Sequence, residues 1–322
     1  MRWALSLLLA TALSAAAEAA PAAPDAQFVT LGTGGGPVIR VKRSEPANAV
    51  VAGAAVYLFD LGDGVQRQLA AAGLPLARVR AIFISHHHMD HNQGLGPLMM
   101  SRWLFDPLPA IPVIGPPGAR TMVAGLAAAN QATANAPVSI GGPQPPSVEA
   151  TVKALDLPPV LATPTEIYRD ENFRVLAISV DHFHLPPSMA LDPAPRSYAF
   201  RIETRGRVFV FTGDTGPSER LQTLARGADV LVSEVVNLAA AAASARKTLP
   251  PEAMAPLIAH LSQDHLTPEE VGRLASGAGV GEVVLTHLAP GGDEETDLSG
   301  YTAGIASSFK GKVIVAADLD RF

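Results

Sequence analysis

The sequence predicts an α/β protein, because short strand-like runs alternate with helix-like segments along the chain. The chain has 322 residues, of which 48% are hydrophobic and 17% charged, so it can bury a large core. Apolar runs such as residues 81–84 and Val208–Phe211 are rich in β-branched and aromatic side chains, as buried strands are. The 28 glycines and 28 prolines indicate many loops between these elements.

The first 19 residues are predicted to be a signal peptide. Arg2 supplies a positive charge, and residues 3–10 form an apolar run too short to span a bilayer comfortably. Ala17 and Ala19 are small residues at the spacing that signal-peptide cleavage requires. An uncleaved anchor is the alternative. We therefore expect one folded domain over residues 20–322, located in the periplasm or secreted.

The charge balance is mildly acidic, with 24 Lys and Arg against 30 Asp and Glu, a formal net charge of −6. Removing residues 1–19 takes away one charge of each sign and leaves this value unchanged. Because no Lys/Arg-rich arm is visible, we expect no dedicated nucleic-acid-binding arm and a small-molecule partner. No apolar stretch after the signal segment is long enough to span a membrane. The sequence does not specify an oligomeric state.

Four of the nine histidines lie in the string Ser-His-His-His-Met-Asp-His-Asn at residues 85–92. The strand-like residues 81–84 end where this string begins, and a helix is expected to start near residue 95. The histidines therefore lie on a loop at the end of a core strand. Imidazole together with carboxylate suits zinc and similar divalent metals, so the cluster predicts a metal site.

Three later strand-like runs also end in potential metal ligands. His182 follows residues 175–178, Asp214 follows Val208–Phe211, and His287 follows residues 283–285. Asp214 could instead be an ordinary turn carboxylate, since Asp is common in turns. Its position at a strand end, in order with the other motifs, favours the metal role.

The string His86-x-His88-x-Asp90-His91 resembles the signature of the metallo-β-lactamase superfamily, and the later blocks follow in the order that this family shows. Residues 28–34 and 59–64 also resemble the opening strands and turns of the family. The resemblance extends from about Phe28 to the end of the chain. It implies an αββα sandwich, in which two mixed β-sheets pack face to face with helices outside, and a metal-dependent hydrolase.

The resemblance also implies two divalent metal ions, with zinc as the first choice and manganese or iron as alternatives. One ion would be held by His86, His88 and His182, the other by Asp90, His91 and His287, with Asp214 bridging both. Each ion then keeps an open position for water, as a catalytic site requires. His87 should point away from its neighbours in an extended segment. Either His182 or His184 could face the metal; the family pattern favours His182 and leaves His184 to contact substrate or orient a ligand.

A second pair of residues resembles the phosphodiesterase branch of the superfamily, which includes the tRNA 3′-end endonucleases (tRNase Z) and arylsulfatase-like proteins. His265 precedes Thr267 and Pro268, which are typical of a helix start, as Asp264 is too. In that branch such a histidine protonates the leaving group beside a Glu, and Glu234 is placed to match. His265 could otherwise be merely a residue at a helix N-terminus.

The resemblance thus implies a secreted hydrolase with two metal ions, in which a metal-bridged hydroxide attacks a phosphodiester or related sulfate ester, with Asp90, His265 and Glu234 as catalytic residues. Because the basic arm of the tRNA enzymes is not visible, we expect a small ester substrate. Hydrolysis of a lactone or a β-lactam by the same site is an alternative. A protein that binds metal without catalysis is a further one, disfavoured because a purely structural zinc site is normally closed and mononuclear.

Overall fold

The structure, a computed structural model, describes residues 26–136, 145–186 and 188–322. The predicted signal peptide lies outside these residues. In the described part of the chain, thirteen strands form two sheets of six and seven strands. Both sheets are mixed, since each contains parallel and antiparallel pairs.

The first sheet has the strand order β1-β2-β3-β4-β5-β6. Its first three strands pair antiparallel, and the pairs from β3 to β6 are parallel. The strands are β1 (Gln27–Gly32), β2 (Ala47–Ala52), β3 (Ala55–Leu61), β4 (Val79–Phe83), β5 (Ile111–Gly115) and β6 (Val152–Asp156).

The second sheet has the order β13-β12-β11-β10-β9-β8-β7. The pairs from β10 to β13 are parallel, and those from β7 to β10 are antiparallel. The strands are β7 (Thr165–Arg169), β8 (Phe173–Val180), β9 (Ser197–Thr204), β10 (Val208–Phe211), β11 (Val230–Val236), β12 (Glu282–Ala289) and β13 (Lys312–Val315).

The α-helices are α1 (Val65–Ala71), α2 (Met89–Asn92), α3 (Leu95–Phe105), α4 (Ala119–Ala129), α5 (Gln131–Ala134), α6 (Glu219–Ala225), α7 (Leu238–Ala245), α8 (Pro251–Asp264), α9 (Pro268–Ala278) and α10 (Ile305–Ser308). Three short 3₁₀ helices cover Leu76–Arg78, Val148–Thr151 and Ser299–Tyr301. As expected, α3 begins at Leu95 directly after the histidine cluster.

Three apolar clusters divide the molecule into layers. The central cluster joins inward-facing side chains of both sheets, among them Phe59 and Phe83 from the first and Phe200 and Phe209 from the second. A second cluster packs α1, α3 and α4 on the outer face of the first sheet, and a third packs α6, α9 and α10 on the second. The order helix, sheet, sheet, helix confirms the predicted αββα sandwich.

One local prediction is wrong. Asp264 was expected to start a helix, but it is the last residue of α8, and only Thr267 caps a helix start. The Thr267 side chain and the Glu270 side chain satisfy each other's backbone N–H groups in a capping box, so the new helix begins at Pro268. His265 consequently lies in the short extended link between two helices.

The stacked rings of Phe59 and Phe83, with centroids 4.7 Å apart, fill the space between the sheets. We expect Phe83→Ala to lower the free energy of unfolding by about 3–5 kcal/mol, because it leaves a cavity that the rigid sheets cannot close. Chemical denaturation would measure this. Phe105→Ala is the matched control: Phe105 is 73% exposed, and its loss should change stability by less than about 0.5 kcal/mol. Equal effects of the two substitutions would contradict this assignment of the core.

Candidate metal centre and active site

The carboxyl ends of several strands meet at one edge of the sandwich and carry the polar residues of the site. The loop after β4 holds His86 and His88, and the short helix α2 that follows holds Asp90 and His91. His182 lies two residues beyond β8, and Asp214 lies three residues beyond β10. Loops anchored on rigid strands are a common place for such sites.

His287 reaches the site by a different local structure. It lies inside β12, where Thr286 pairs with Glu234 and Leu288 with Val235, so His287 is left without a partner in the ladder. Its φ of 45° is unusual for a residue with a side chain. This bulge turns the imidazole out of the regular alternation of the strand and towards the other ligands. Gly35 is required beside it, because a Cβ there would lie 2.6 Å from His287 Nδ1.

The seven side chains proposed from the sequence as metal ligands come together. Potential ligand atoms of His86, His88, His182 and Asp214 lie within 4.8 Å of one another, and so do those of Asp90, His91 and His287. Asp214 connects the two groups, since its Oδ2 lies 3.3 Å from His91 Nε2 and 3.0 Å from His287 Nε2. The sequence resemblance implied the same two groups, and potential ligand atoms of Asp214, His265 and His287 also lie within 4.8 Å of one another. His87 belongs to neither group, and its Nε2 lies near Gly118 instead.

Several of these atoms are buried without a hydrogen-bond partner among the residues that the structure describes. They are His86 Nε2, His91 Nε2, both ring nitrogens of His287, and Asp214 Oδ1. Buried polar atoms are normally paired, since an unpaired one costs about 1–3 kcal/mol. Imidazole nitrogens and a carboxylate that point at one another in this way match the donor set of a divalent metal site. The residues present therefore fit the ions that the family resemblance implied.

Neighbouring residues hold the ligands in position. Asp60 Oδ2 lies 2.8 Å from His91 Nδ1 and 2.7 Å from the Ser85 hydroxyl, which donates to it. The Ser85 backbone N–H donates to the other oxygen of Asp60. Such contacts fix the ring orientation of a metal-binding histidine and are worth about 10–100-fold in metal affinity. Sequence reasoning missed the role of Asp60, which lies near the end of β3. Its φ of 59° adds a second unusual backbone conformation to the site.

Asp264 holds the other side of the centre. Its backbone carbonyl accepts a hydrogen bond from His182 Nδ1 at 2.8 Å, so the lone pair of that ring is on Nε2, which lies 3.2 Å from His88 Nδ1. Its side chain contacts Nδ1 of His184 and Nδ1 of His260, the latter at 2.6 Å. His184 is thus turned to Asp264 rather than to the metal cluster. Asp181, which directly precedes His182, pairs with Arg220.

Burial and charge shift the pKa values of the ligands in opposite directions. Burial lowers the pKa of His182 to about 3 and that of His86 well below its usual value. For His287, burial also lowers the pKa, but the carboxylates of Asp214 and Asp90 outweigh it and raise the pKa to about 10. Burial raises the pKa of Asp90, but His91 and His287 outweigh it and lower the pKa to about 2. The carboxylates of Asp90 and Asp214 thus favour a positive charge at this site, carried by protonated histidines or by metal ions.

His265 and Glu234 form a buried pair beside the cluster. His265 Nδ1 lies 2.7 Å from Glu234 Oε2, and the other Glu234 oxygen accepts the Thr215 backbone N–H at 2.8 Å. Burial raises the pKa of Glu234. Burial lowers the pKa of His265, but the Glu234 carboxylate outweighs it and raises the pKa. The pair can therefore hold a proton on His265, whose Nε2 is not engaged by Glu234.

A cavity of about 450 Å³ opens over these groups. Its polar side is formed by His88, Asp90, Asp214, His265 and His287. Its apolar lining includes Leu257 and Leu261 of α8, with Pro37, Met89 and Ala289. His260, for which the sequence suggested no role, also lines it. Such a cavity accepts a ligand with an apolar part and places an ester next to the metal ligands and the His265 pair.

Comparison with known proteins agrees with this geometry. Residues 57–288 match the family model described as Beta-lactamase superfamily domain. A protein named Ribonuclease Z from Mycolicibacterium paratuberculosis is 31% identical over 312 residues, which cover 92% of this chain and 97% of that protein. Another from Mycobacterium bovis is 30% identical over 320 residues, with the same coverage of both chains.

Solved structures show the same fold. A metallo-β-lactamase fold protein from Bacillus subtilis superposes with a TM-score of 0.65 at 19% identity, covering 92% of this chain and 98% of that one. The short form of human tRNase Z superposes with a TM-score of 0.63 at 21% identity, with the same coverage. At these identities the similarity concerns the fold alone.

The relatives overturn one expectation from the sequence. We expected a small-molecule ester as the partner and no dedicated nucleic-acid-binding arm, but the curated relatives are named as ribonucleases and the human protein as a tRNase. The expectation was wrong because the net charge is a sum over the whole molecule and does not show where the Lys and Arg side chains lie on its surface.

No helix among the described residues is long and apolar enough to cross a membrane. The family match, the ribonuclease Z relatives, the shared fold and the convergence of the histidine and aspartate motifs all lead to one assignment. The chain belongs to the metallo-β-lactamase superfamily of metal-dependent hydrolases, in which its motifs resemble those of the tRNase Z branch.

Proposed function

We propose that this chain is a metal-dependent phosphodiesterase that cleaves RNA, as the names of its relatives suggest. The observation that carries the proposal is the buried His265–Glu234 pair, which lies beside the metal ligands and can deliver a proton to a leaving oxygen. A phosphodiester in RNA releases a poor, alkoxide-like leaving group, which such a donor can protonate.

We propose that the site holds two divalent ions, with zinc as the first choice. His86, His88 and His182 would hold one ion, Asp90, His91 and His287 the other, and Asp214 would bridge them. When bound, such ions lower the pKa of a water molecule and stabilise negative charge on the phosphate. The donor set, with imidazoles and carboxylates but no thiolate, supports zinc and also accepts manganese or iron.

The residues of the chain divide the remaining work. Glu234 holds Nδ1 of His265 and keeps the ring charged and oriented, so that Nε2 can donate its proton to the oxygen that leaves the phosphorus. Asp60 and the Asp264 carbonyl keep His91 and His182 in place. The apolar wall of Leu257 and Leu261 shields the cleft from bulk water, which strengthens the electrostatic interactions inside it.

We further propose that the enzyme acts outside the cytoplasm, in the periplasm or after secretion. The support is the sequence of residues 1–19 alone, with its charged start, apolar run and small residues.

Purified metal-loaded protein should cleave a short RNA with an unpaired 3′ tail and lose this activity on chelation. On a panel of chromogenic substrates, a p-nitrophenyl phosphodiester should be preferred over a p-nitrophenyl sulfate, a lactone and a β-lactam. His265→Ala should lower kcat for the RNA by about 10²–10⁴-fold. It should lower kcat for the activated phosphodiester far less, because nitrophenolate leaves without protonation. Equal losses on both substrates would refute the role of His265 as the acid, and preference for another ester would refute the proposed reaction.

Glu234→Gln should move the basic limb of the pH profile of kcat to lower pH. The reason is that the Glu234 carboxylate raises the pKa of His265, whereas a neutral amide leaves the effect of burial, which lowers it. His265 must be protonated to act, so in the variant activity is lost at a lower pH than in the wild type. Measuring kcat on RNA from pH 5 to 10 tests this. A basic limb that stays in place would contradict the coupling of the pair.

Metal binding at pH 8 should release at least about one proton per chain. The nearby carboxylates raise the pKa of His287 to about 10, so its ring carries a proton in the metal-free chain at pH 8 and must lose it to bind a metal ion. Titration calorimetry in buffers of different ionisation enthalpy counts the released protons. His287→Gln is the control and should release fewer. Binding without net proton release would show that His287 is not a ligand.

A further inference from the structure

A second cavity, of about 150 Å³, lies next to the catalytic one. His182 forms part of its wall, and the ring of His182 packs against His88 and His265, with centroids 4.9 and 5.0 Å away, which line the catalytic cavity. The two cavities are therefore separated by the His182 ring and the two imidazole rings that pack against it. The smaller volume corresponds to about five water molecules, which is enough for a single phosphate group.

Two arginines line this second cavity. Arg196 lies directly before β9, and Arg220 lies in the first turn of α6. Arg220 pairs with Asp181, so these two charges balance. Arg196 makes no ion pair or hydrogen bond with any residue that the structure describes, and its Nε is buried without an acceptor. The cavity thus keeps one uncompensated positive charge.

A buried guanidinium donor without an acceptor costs free energy that a bound anion would recover. Arginine presents a planar fork of donors that fits the oxygens of a phosphate. The chain has a net charge of −6, so it has no generally basic surface. The unpaired Arg196 guanidinium beside the proposed metal ligands is therefore a local feature of this cavity.

The wall between the cavities is held firmly. Asp264 joins three histidines, since its side chain contacts His184 and His260 and its carbonyl accepts from His182. His184 lines the second cavity, and His260 lines the catalytic one. A nucleic-acid strand bound across this wall could therefore place neighbouring phosphates in the two cavities, whose relative position is fixed.

We propose that this second cavity is a phosphate subsite, in which Arg196, supported by Arg220, binds the phosphate next to the one that is cleaved. The inference rests on the proposed function, because it assumes a substrate with more than one phosphodiester linkage. It explains how a chain without a visible basic arm can hold RNA at its active site.

The test compares two chromogenic esters that differ by one phosphate: thymidine 5′-(p-nitrophenyl phosphate) and the same compound with a 3′-phosphate. For the metal-loaded wild type, we expect the second phosphate to lower KM. In Arg196→Gln, KM for the doubly phosphorylated ester should rise about tenfold, as for loss of one charge-assisted contact, while kcat and KM for the simple ester stay within about twofold. Arg205→Gln is the matched control, because Arg205 is exposed in the turn between β9 and β10 and its loss removes the same charge.

The second arm measures binding of a short single-stranded RNA as salt is varied. In Arg196→Gln, the slope of the logarithm of the association constant against the logarithm of the salt concentration should become smaller in magnitude by about 0.7, the value for one phosphate contact with single-stranded nucleic acid. In Arg205→Gln this slope should remain unchanged. An unchanged slope together with an unchanged KM ratio would overturn the subsite. A parallel loss of kcat/KM on both esters would also overturn it, since Arg196 would then only support the metal centre.

The two proposals fail in different ways. If the wild type hydrolyses both chromogenic esters but leaves RNA intact, the proposed ribonuclease function fails, while a lower KM for the doubly phosphorylated ester, lost in Arg196→Gln, still supports the subsite. If RNA is cleaved and Arg196→Gln behaves like Arg205→Gln in both arms, the subsite fails and the function stands.

Discussion

The structure depends on one constraint: imidazole nitrogens and carboxylate oxygens must be held facing one another in a buried space. In a protein interior such atoms are normally satisfied by neighbours, yet here several of them point inward without a partner among the described residues. Without a cation the carboxylates draw protons onto His287 and His91, as the raised pKa values of both rings indicate. The arrangement is stable only because a rigid scaffold surrounds it and a positive charge enters it.

The sandwich supplies that scaffold. The ligands come from loops and bulges at the carboxyl ends of strands in both sheets, and the shared apolar core between the sheets fixes the distance between them. Two residues with side chains, Asp60 and His287, adopt positive φ at the site. Such conformations persist where the surrounding structure enforces them, and they are frequent at functional sites. Here the packed sheets maintain both of them, and both place a polar group against the metal ligands.

Charge acts locally in this protein. The chain as a whole is acidic, but the catalytic cavity contains a histidine whose pKa is raised by a buried carboxylate, and the adjoining cavity contains an arginine without an acidic partner in the described residues. A polyanionic substrate responds to the field near the site more than to the net charge, because exposed charges farther than about 8–10 Å are screened at physiological salt. An acidic net charge is therefore compatible with relatives that are named Ribonuclease Z.

The sequence by itself determined the fold class and the ligand candidates, because both depend on local order. The His86-x-His88-x-Asp90-His91 string, and the later residues His182, Asp214 and His287 at strand ends, can be read from short segments. The tertiary structure alone decided what depends on neighbours distant in the chain. Asp60 and Asp264 reach the ligand rings, and Arg196 and Arg220 meet in one cavity. No local pattern marks these residues, because their roles arise from packing between segments far apart in sequence.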